Sequence, residues 1–189
     1  MALCGPSRTT RGWRAVDFPW QYASIMERTS FRDMDCPIAL SLERVGDWWS
    51  ILILRDATHG ITRFDQFQKS LGISTNSLSR RLGVLVEAGL LERRRYSERP
   101  PRYEYVLTES GRAFRPVLIA LYAWGNENFP PEAPNVLLVH KDSGAEVDPL
   151  LIDRSTGQPL DEEHTSFQPG PSADDRLRAV LARRNEVTT

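Results

Sequence analysis

Asn76 and Arg80 stand four residues apart in a segment where Leu78, Leu82 and Leu85 recur at helical spacing. At 100° per residue, Asn76, Arg80 and Gly83 fall opposite those leucines, and Ser77 lies on the flank. A carboxamide can hold the edge of adenine through two hydrogen bonds, and a guanidinium can hold guanine in the same way. Ser74 and Thr75 add hydroxyls at the start of the segment, and Arg63 and Arg81 add cations near it. The plain alternative is a solvated outer face, which every amphipathic helix has. A second group carries a different chemistry. Arg93, Arg94, Arg95, Arg99 and Arg102 crowd one short stretch. Guanidinium groups there would neutralise phosphates or enter a narrow minor groove. From Arg80 to Arg115 there are nine Arg against five Glu. Any one of these is an ordinary surface charge; the concentration carries more weight than its members.

Other chemistries are poorly supplied. No Ser/His/Asp order, glycine-rich phosphate loop or cluster of carboxylates stands out, and His59, His140 and His164 are scattered. No catalytic residue is assigned, and the chain does not read as an enzyme. Cys4 and Cys36 are the only cysteines. They are too few for a disulfide scaffold, and with three His they do not make a zinc cluster. No metal and no cofactor are expected. Cys36 could be a reactive thiol only if its surroundings lower its pKa. It precedes a helix N-terminus, which favours thiolate, while Asp33 and Asp35 oppose it. A packing role is its simpler reading.

The elements that must position these residues can be read from periodicity. Pro37 to Val45 suits a helix, with Ile38, Leu42 and Val45 on one face. Trp48 to Ala57 is apolar on most sides, as a buried helix would be. The Thr62-x-x-Asp65 spacing predicts an N-terminal cap for a helix carrying Phe64, Phe67 and Leu71, stopped by Gly72. Ser74 is a natural cap for the next helix, stapled by Ile73 and Leu78 and closed by Gly89 and Leu90 in a Schellman motif. A connection of about three residues containing Gly is the helix-turn-helix length. Strands Leu90–Tyr96 and Tyr103–Leu107 then make the arginine-rich hairpin a wing. Thr108 caps a last helix reaching to about Phe129, kinked or restarted at Pro116. Its apolar residues exceed what one small domain covers, so self-association is the natural use, unless the face packs on helix 37–45. A cleft lined by Trp48, Trp49, Tyr122 or Trp124 would suit an aromatic effector, though packed core is the simpler reading.

With those residues in place, the chain resembles the HxlR family of bacterial winged-helix regulators, relatives of the MarR group. The matching text includes Cys36-Pro37-Ile38, Gly46-Asp47-Trp48-Trp49, Arg63-Phe64-Asp65, Gly72-Ile73-Ser74, Leu78-Ser79-Arg80-Arg81-Leu82, Glu87-Ala88-Gly89-Leu90-Leu91-Glu92-Arg93 and Pro101-Arg102-Tyr103-Glu104-Tyr105. It runs in order over about residues 34–129. The resemblance implies a homodimer that binds double-stranded operator DNA and represses or activates nearby genes. It implies dimer contacts from the first and last helices, here Ile38, Leu42, Val117, Leu118, Leu121, Tyr122 and Trp124. Some members sense oxidants through a Cys at the position of Cys36. The tail resembles a zinc-ribbon-like module appended in some members. There His140 and Gly144, then Gly157, keep the pattern, while Ser143, Asp153 and Thr156 stand where Cys is expected. Without thiolates no structural zinc is expected there. The alternative function is a winged helix that binds only protein partners, which the arginine-rich wing and the Asn76/Arg80 face disfavour.

The 189 residues are 40% apolar and 26% charged, as in a globular chain. No run of about 18 apolar residues spans a membrane. No secretory core follows the N-terminus, so the cytoplasm is the expected compartment. The formal net charge of −1 argues at first against nucleic acid. It is an average: residues 36–129 carry 13 basic against 10 acidic groups, and residues 130–189 carry 6 against 11. The expected fold class is α+β, mainly helical. Its parts are an arm over 1–33, with Met26 and Met34 as alternative starts, and a winged helix-turn-helix domain over 34–129. A small β-rich appendage over 130–170 and a short amphipathic helix and tail over 171–189 follow.

Overall fold

The computed structural model describes Phe31 and residues 36–130, 132–133 and 136–187. The rest of the arm, with Cys4, Met26 and Met34, lies outside the described residues. The chain divides into two units between Arg44 and Val45. Within the first, Pro37 opens α1, which runs Pro37–Val45. Ser41 Oγ donates to the Pro37 carbonyl at 2.8 Å. Ile38 and Leu42 are exposed and Ala39 is buried.

The second unit begins at Val45, the last residue of α1, and its first whole helix is α2, Trp48–Thr58. Asp47 caps it: Oδ1 accepts from the Trp49 and Ser50 N–H groups at 2.8 and 3.2 Å. Ile53 and Leu54 point inward and meet Phe67 of α3 (Phe64–Leu71) and Leu78, Leu82 and Leu85 of α4 (Thr75–Glu87) in one core. The cap of α3 differs from the Thr62 expectation. Arg63 is the N-cap, and Gln66 Oε1 accepts its N–H at 3.2 Å. Thr62 is needed elsewhere, because its carbonyl accepts the Tyr105 N–H at 2.7 Å. Gly72 closes α3 at φ +63°, where only glycine sits without strain. At the end of α4, Leu90 N–H reaches the Leu85 carbonyl and Gly89 N–H reaches that of Val86, at 2.9 and 3.0 Å. That is the Schellman pair the glycine predicts.

Strands β1 (Leu91–Ser97) and β2 (Arg102–Leu107) pair antiparallel, Leu91 against Leu107 and Arg95 against Tyr103. A bridge between Arg63 and Glu104 adds residues 62–63 to the free edge of β2. The expected last helix is two. α5 (Glu109–Ala113) is capped by Thr108, and α6 (Arg115–Asn128) restarts after Phe114 with Pro116 in its first turn. Proline there gives up no needed hydrogen bond. Thr108 Oγ also donates to the Gly89 carbonyl at 2.6 Å, tying α5 to the end of α4.

The tail departs from the β-rich expectation. Val136–Val139 and Pro149–Ile152 form no strands; each run makes one isolated bridge, Val139 to Glu146 and Ile152 to Pro159. The turns between these partners leave room for only one or two cross-bonds, too few for a ladder. The terminal helix, α7 (Asp175–Val187), is present. Its cap is Asp174, whose Oδ1 accepts the Leu177 N–H at 2.7 Å. Among the described residues, no helix is long and apolar enough to cross a membrane.

Candidate nucleic-acid interface

The start of α4 is built from its own hydroxyls. Ser74 Oγ accepts the Ser77 N–H at 3.3 Å and donates to Ser77 Oγ at 3.0 Å. Gln68 of α3 donates its amide to Thr75 Oγ at 3.0 Å. The Thr75 and Ser77 hydroxyls therefore serve as acceptors within the protein, which leaves their own protons available to donate. Thr75, Asn76 and Arg80 are exposed and Ser77 is half-buried. The leucines that fix this rotation of the helix are fully buried. Arg80 makes no ion pair among the described residues, so its donors are uncommitted.

Arg81 behaves differently from its neighbour. It turns back to form an ion pair with the free oxygen of Asp47, and both side chains are 17% exposed. It braces α4 against the cap of α2 and is withdrawn from the face that carries Asn76 and Arg80. Helical spacing alone places Arg81 only 100° from Arg80, so its inward turn depends on Asp47, a partner 34 positions earlier in the chain.

The wing arginines also divide. Arg94 pairs with Glu92 at 2.7 Å. That contact raises the Arg94 pKa and lowers that of Glu92. Arg95 is spent on the tip: it donates to the Ser97 and Glu98 carbonyls and pairs with the Glu98 carboxylate. Arg93 lies over the Tyr103 ring at 3.6 Å, and Arg63 over Tyr96 at 4.9 Å. Arg99 and Arg102 are exposed. An open cleft of about 300 Å³ at the root of the wing is lined by Arg63, Phe64, Asp65, Tyr96, Arg102 and Tyr103. It brings Arg63, from the start of α3, together with Arg102, from β2. Tyr96 and Tyr103 were not singled out from sequence. The signal was there in the alternation of Arg and Tyr on facing strands, since an aromatic ring holds a guanidinium flat.

The expected dimer residues divide between exposed and engaged. Val117, Leu121 and Trp124 of α6 are exposed, as are Ile38 and Leu42 of α1. Leu118 and Tyr122 are half-buried. The Tyr122 hydroxyl donates to the Val136 carbonyl and accepts the Leu138 N–H, at 3.3 and 3.2 Å. It clamps the start of the tail onto α6. Of the residues expected to line a cleft or pack as core, Trp49 packs on the core, whereas Trp48 and Trp124 are exposed, so the packed-core reading holds for Trp49 only. Cys36 is half-buried, and its carbonyl closes the first turn of α1.

The residues at the zinc-ribbon positions do not fit a structural zinc. Ser143 and Thr156 offer hydroxyls, which are poor ligands for that ion. Asp153 is already occupied: its oxygens accept from Ser155 N, Ser155 Oγ and Thr156 Oγ at 2.8–2.9 Å. These bonds hold its carboxyl below the usual carboxylate range.

A family model for HxlR-like helix-turn-helix matches residues 44–133. The HTH-type transcriptional regulator Rv3095 of Mycobacterium tuberculosis, itself uncharacterized, is 41% identical over 141 residues, 74% of this chain and 89% of its own. A second uncharacterized regulator of this type, sll1512 of Synechocystis, is 42% identical over 49% of this chain and 69% of its own. Among solved structures, PA1607, described as a candidate transcription factor, is 41% identical at a TM-score of 0.67. It covers 75% of this chain and is itself covered completely. PA1374 of Pseudomonas aeruginosa, similarly described, is 51% identical at a TM-score of 0.55, over 77% of this chain and all of its own. With two helices, a tight turn and a basic wing in the order that family requires, the chain belongs to the HxlR-like helix-turn-helix transcriptional regulators, DNA-binding proteins and not enzymes.

Proposed function

We propose that the protein acts as a homodimer on double-stranded operator DNA. Each copy sets the first half of α4 in a major groove and its wing along the adjacent backbone. One observation carries this reading. Thr75, Asn76 and Arg80 stand exposed on one end of α4, and a cleft at the root of the wing adds the cations Arg63 and Arg102. Asn76 and Arg80 are the base readers; Ser74, Thr75, Ser77, Arg63, Arg99 and Arg102 are the phosphate contacts. Arg95 and Arg81 support that surface from behind. Dimer contacts come from Ile38 and Leu42 of α1 and from Val117, Leu118, Leu121, Tyr122 and Trp124 of α6, since two half-sites need two readers.

Fluorescence anisotropy with DNA from upstream of the protein's own gene tests this. Binding that is tighter than on random duplex and falls steeply with salt supports it. Salt-independent or absent binding favours the module that binds only protein. Diamide treatment tests Cys36 separately. A sensing thiol requires a Cys36-dependent change in DNA affinity, and unchanged affinity leaves Cys36 as a packing residue. A small-molecule effector would bind where aromatic side chains meet at the dimer face, and shifts of the tryptophan fluorescence on titration would report it.

A further inference from the structure

Residues 137–149 and 150–162 are a tandem repeat, visible once the hydrogen bonds are compared. Leu137-Leu138-Val139-His140-Lys141-Asp142-Ser143-Gly144 aligns with Leu150-Leu151-Ile152-Asp153-Arg154-Ser155-Thr156-Gly157. The bonds align too. His140 N–H reaches the Ala145 carbonyl as Asp153 N–H reaches that of Gln158, at 2.9 and 2.8 Å. Gly144 N–H returns to His140, and Gly157 N–H to Asp153; both glycines sit at φ near +70°. Val147 N–H closes the first loop on Leu138, and Leu160 N–H closes the second on Leu151.

Both copies leave the same side chains in water. Leu137 and Leu150 are 51% and 69% exposed, and Val139 and Ile152 are 42% and 54%. Each tight loop thus leaves an equivalent aliphatic pair exposed, and exposed apolar side chains gathered in this way mark an interaction site. The Tyr122 clamp sets the first loop against α6, whose Val117, Leu121 and Trp124 are also exposed, as is Phe129 just past its end. Three side chains on one helix and one at its end fall short of a stable interface. With the loops included, Leu137, Val139, Leu150 and Ile152 double the number of exposed apolar side chains available, toward the roughly 800 Å² per partner of an interface of standard size. The tail's 11 acidic against 6 basic groups disfavour nucleic acid as the cover.

We propose that the two loops are the outer half of the face through which two copies of this chain join, continuing the exposed edge of α6. The inference rests on the dimer reading above. Sedimentation of the full chain without DNA tests it, comparing wild type, Leu121→Asp and the double variant Leu150→Asp/Ile152→Asp. All three positions are exposed, so the variants keep their fold, which circular dichroism checks. Both variants are expected to weaken self-association by at least about tenfold. If Leu121→Asp dissociates the dimer while the loop variant matches wild type, the loops are not part of the face. If wild type is itself monomeric, the dimer reading fails first. Hydrogen exchange of unmodified protein gives a second readout: slower exchange in residues 150–152 as concentration rises supports the proposal, and concentration-independent exchange overturns it.

Discussion

Among the described residues no carboxylate holds Arg80, whereas Arg81, one residue on, is folded onto Asp47. The two should therefore fail in different ways. Arg80→Ala should cost about 1–3 kcal/mol on the operator and relax base preference, with little change on random duplex. Arg99→Ala should weaken both DNAs alike and reduce the salt slope by about 1. Anisotropy titrations at several salt concentrations separate them, and equal losses on both DNAs for both variants would remove the assigned roles. Arg81→Ala should instead lower stability by about 1–3 kcal/mol, because it strands a mostly buried Asp47 oxygen. Urea denaturation reads that loss, while DNA affinity per folded molecule stays within about twofold of wild type. Asp153 gives a pH prediction. Its folded pKa is depressed by the Ser155 and Thr156 bonds, so the ordering it gives its loop is complete above the ordinary Asp value. That ordering is lost as pH falls through the lowered one. The Ser155 amide resonance should move with this titration and stay still in Asp153→Asn.

The elements follow local signals where those signals are redundant. Ser74, Gly72 and Gly89 sit at the ends of α3 and α4, and each end forms where the cap chemistry places it. Thr62 misled because a hydroxyl at cap spacing says nothing about a distant strand that needs the same residue's carbonyl. The tail misled for a related reason. Short aliphatic runs have strand composition, but a strand needs a partner long enough to make a ladder, and sequence periodicity does not report partners. The reading face of α4 was legible because the buried leucines fix its rotation. The fate of individual wing arginines was not, since it depends on which carboxylate or ring lies within reach. Gly111 is a test at this scale. A Cβ there would lie 2.0 Å from the Leu90 carbonyl oxygen. Gly111→Ala should cost roughly 3 kcal/mol or more by forcing α5 off the end of α4. Gly83→Ala, with open space around it, should raise thermal stability by roughly 0.5–1 kcal/mol. Melting curves of the pair give the comparison.

Across the whole molecule, the net charge of −1 conceals a basic reader and an acidic tail. Neutralising part of the tail, for example Glu146→Gln with Asp148→Asn, should tighten binding to random duplex at low salt and leave it unchanged at high salt, where the field is screened. Unchanged affinity at every salt concentration would mean that the tail sits too far from the duplex to be felt. The wing root bears on a different quantity. Thr62 and Arg63 share backbone bonds with Glu104 and Tyr105, so the base of the wing is already joined to the start of α3 before any duplex arrives. Docking then has little chain entropy to surrender at that hinge. A reader assembled in advance keeps its affinity for the work of telling one sequence from another, and it leaves the duplex as the partner that must bend.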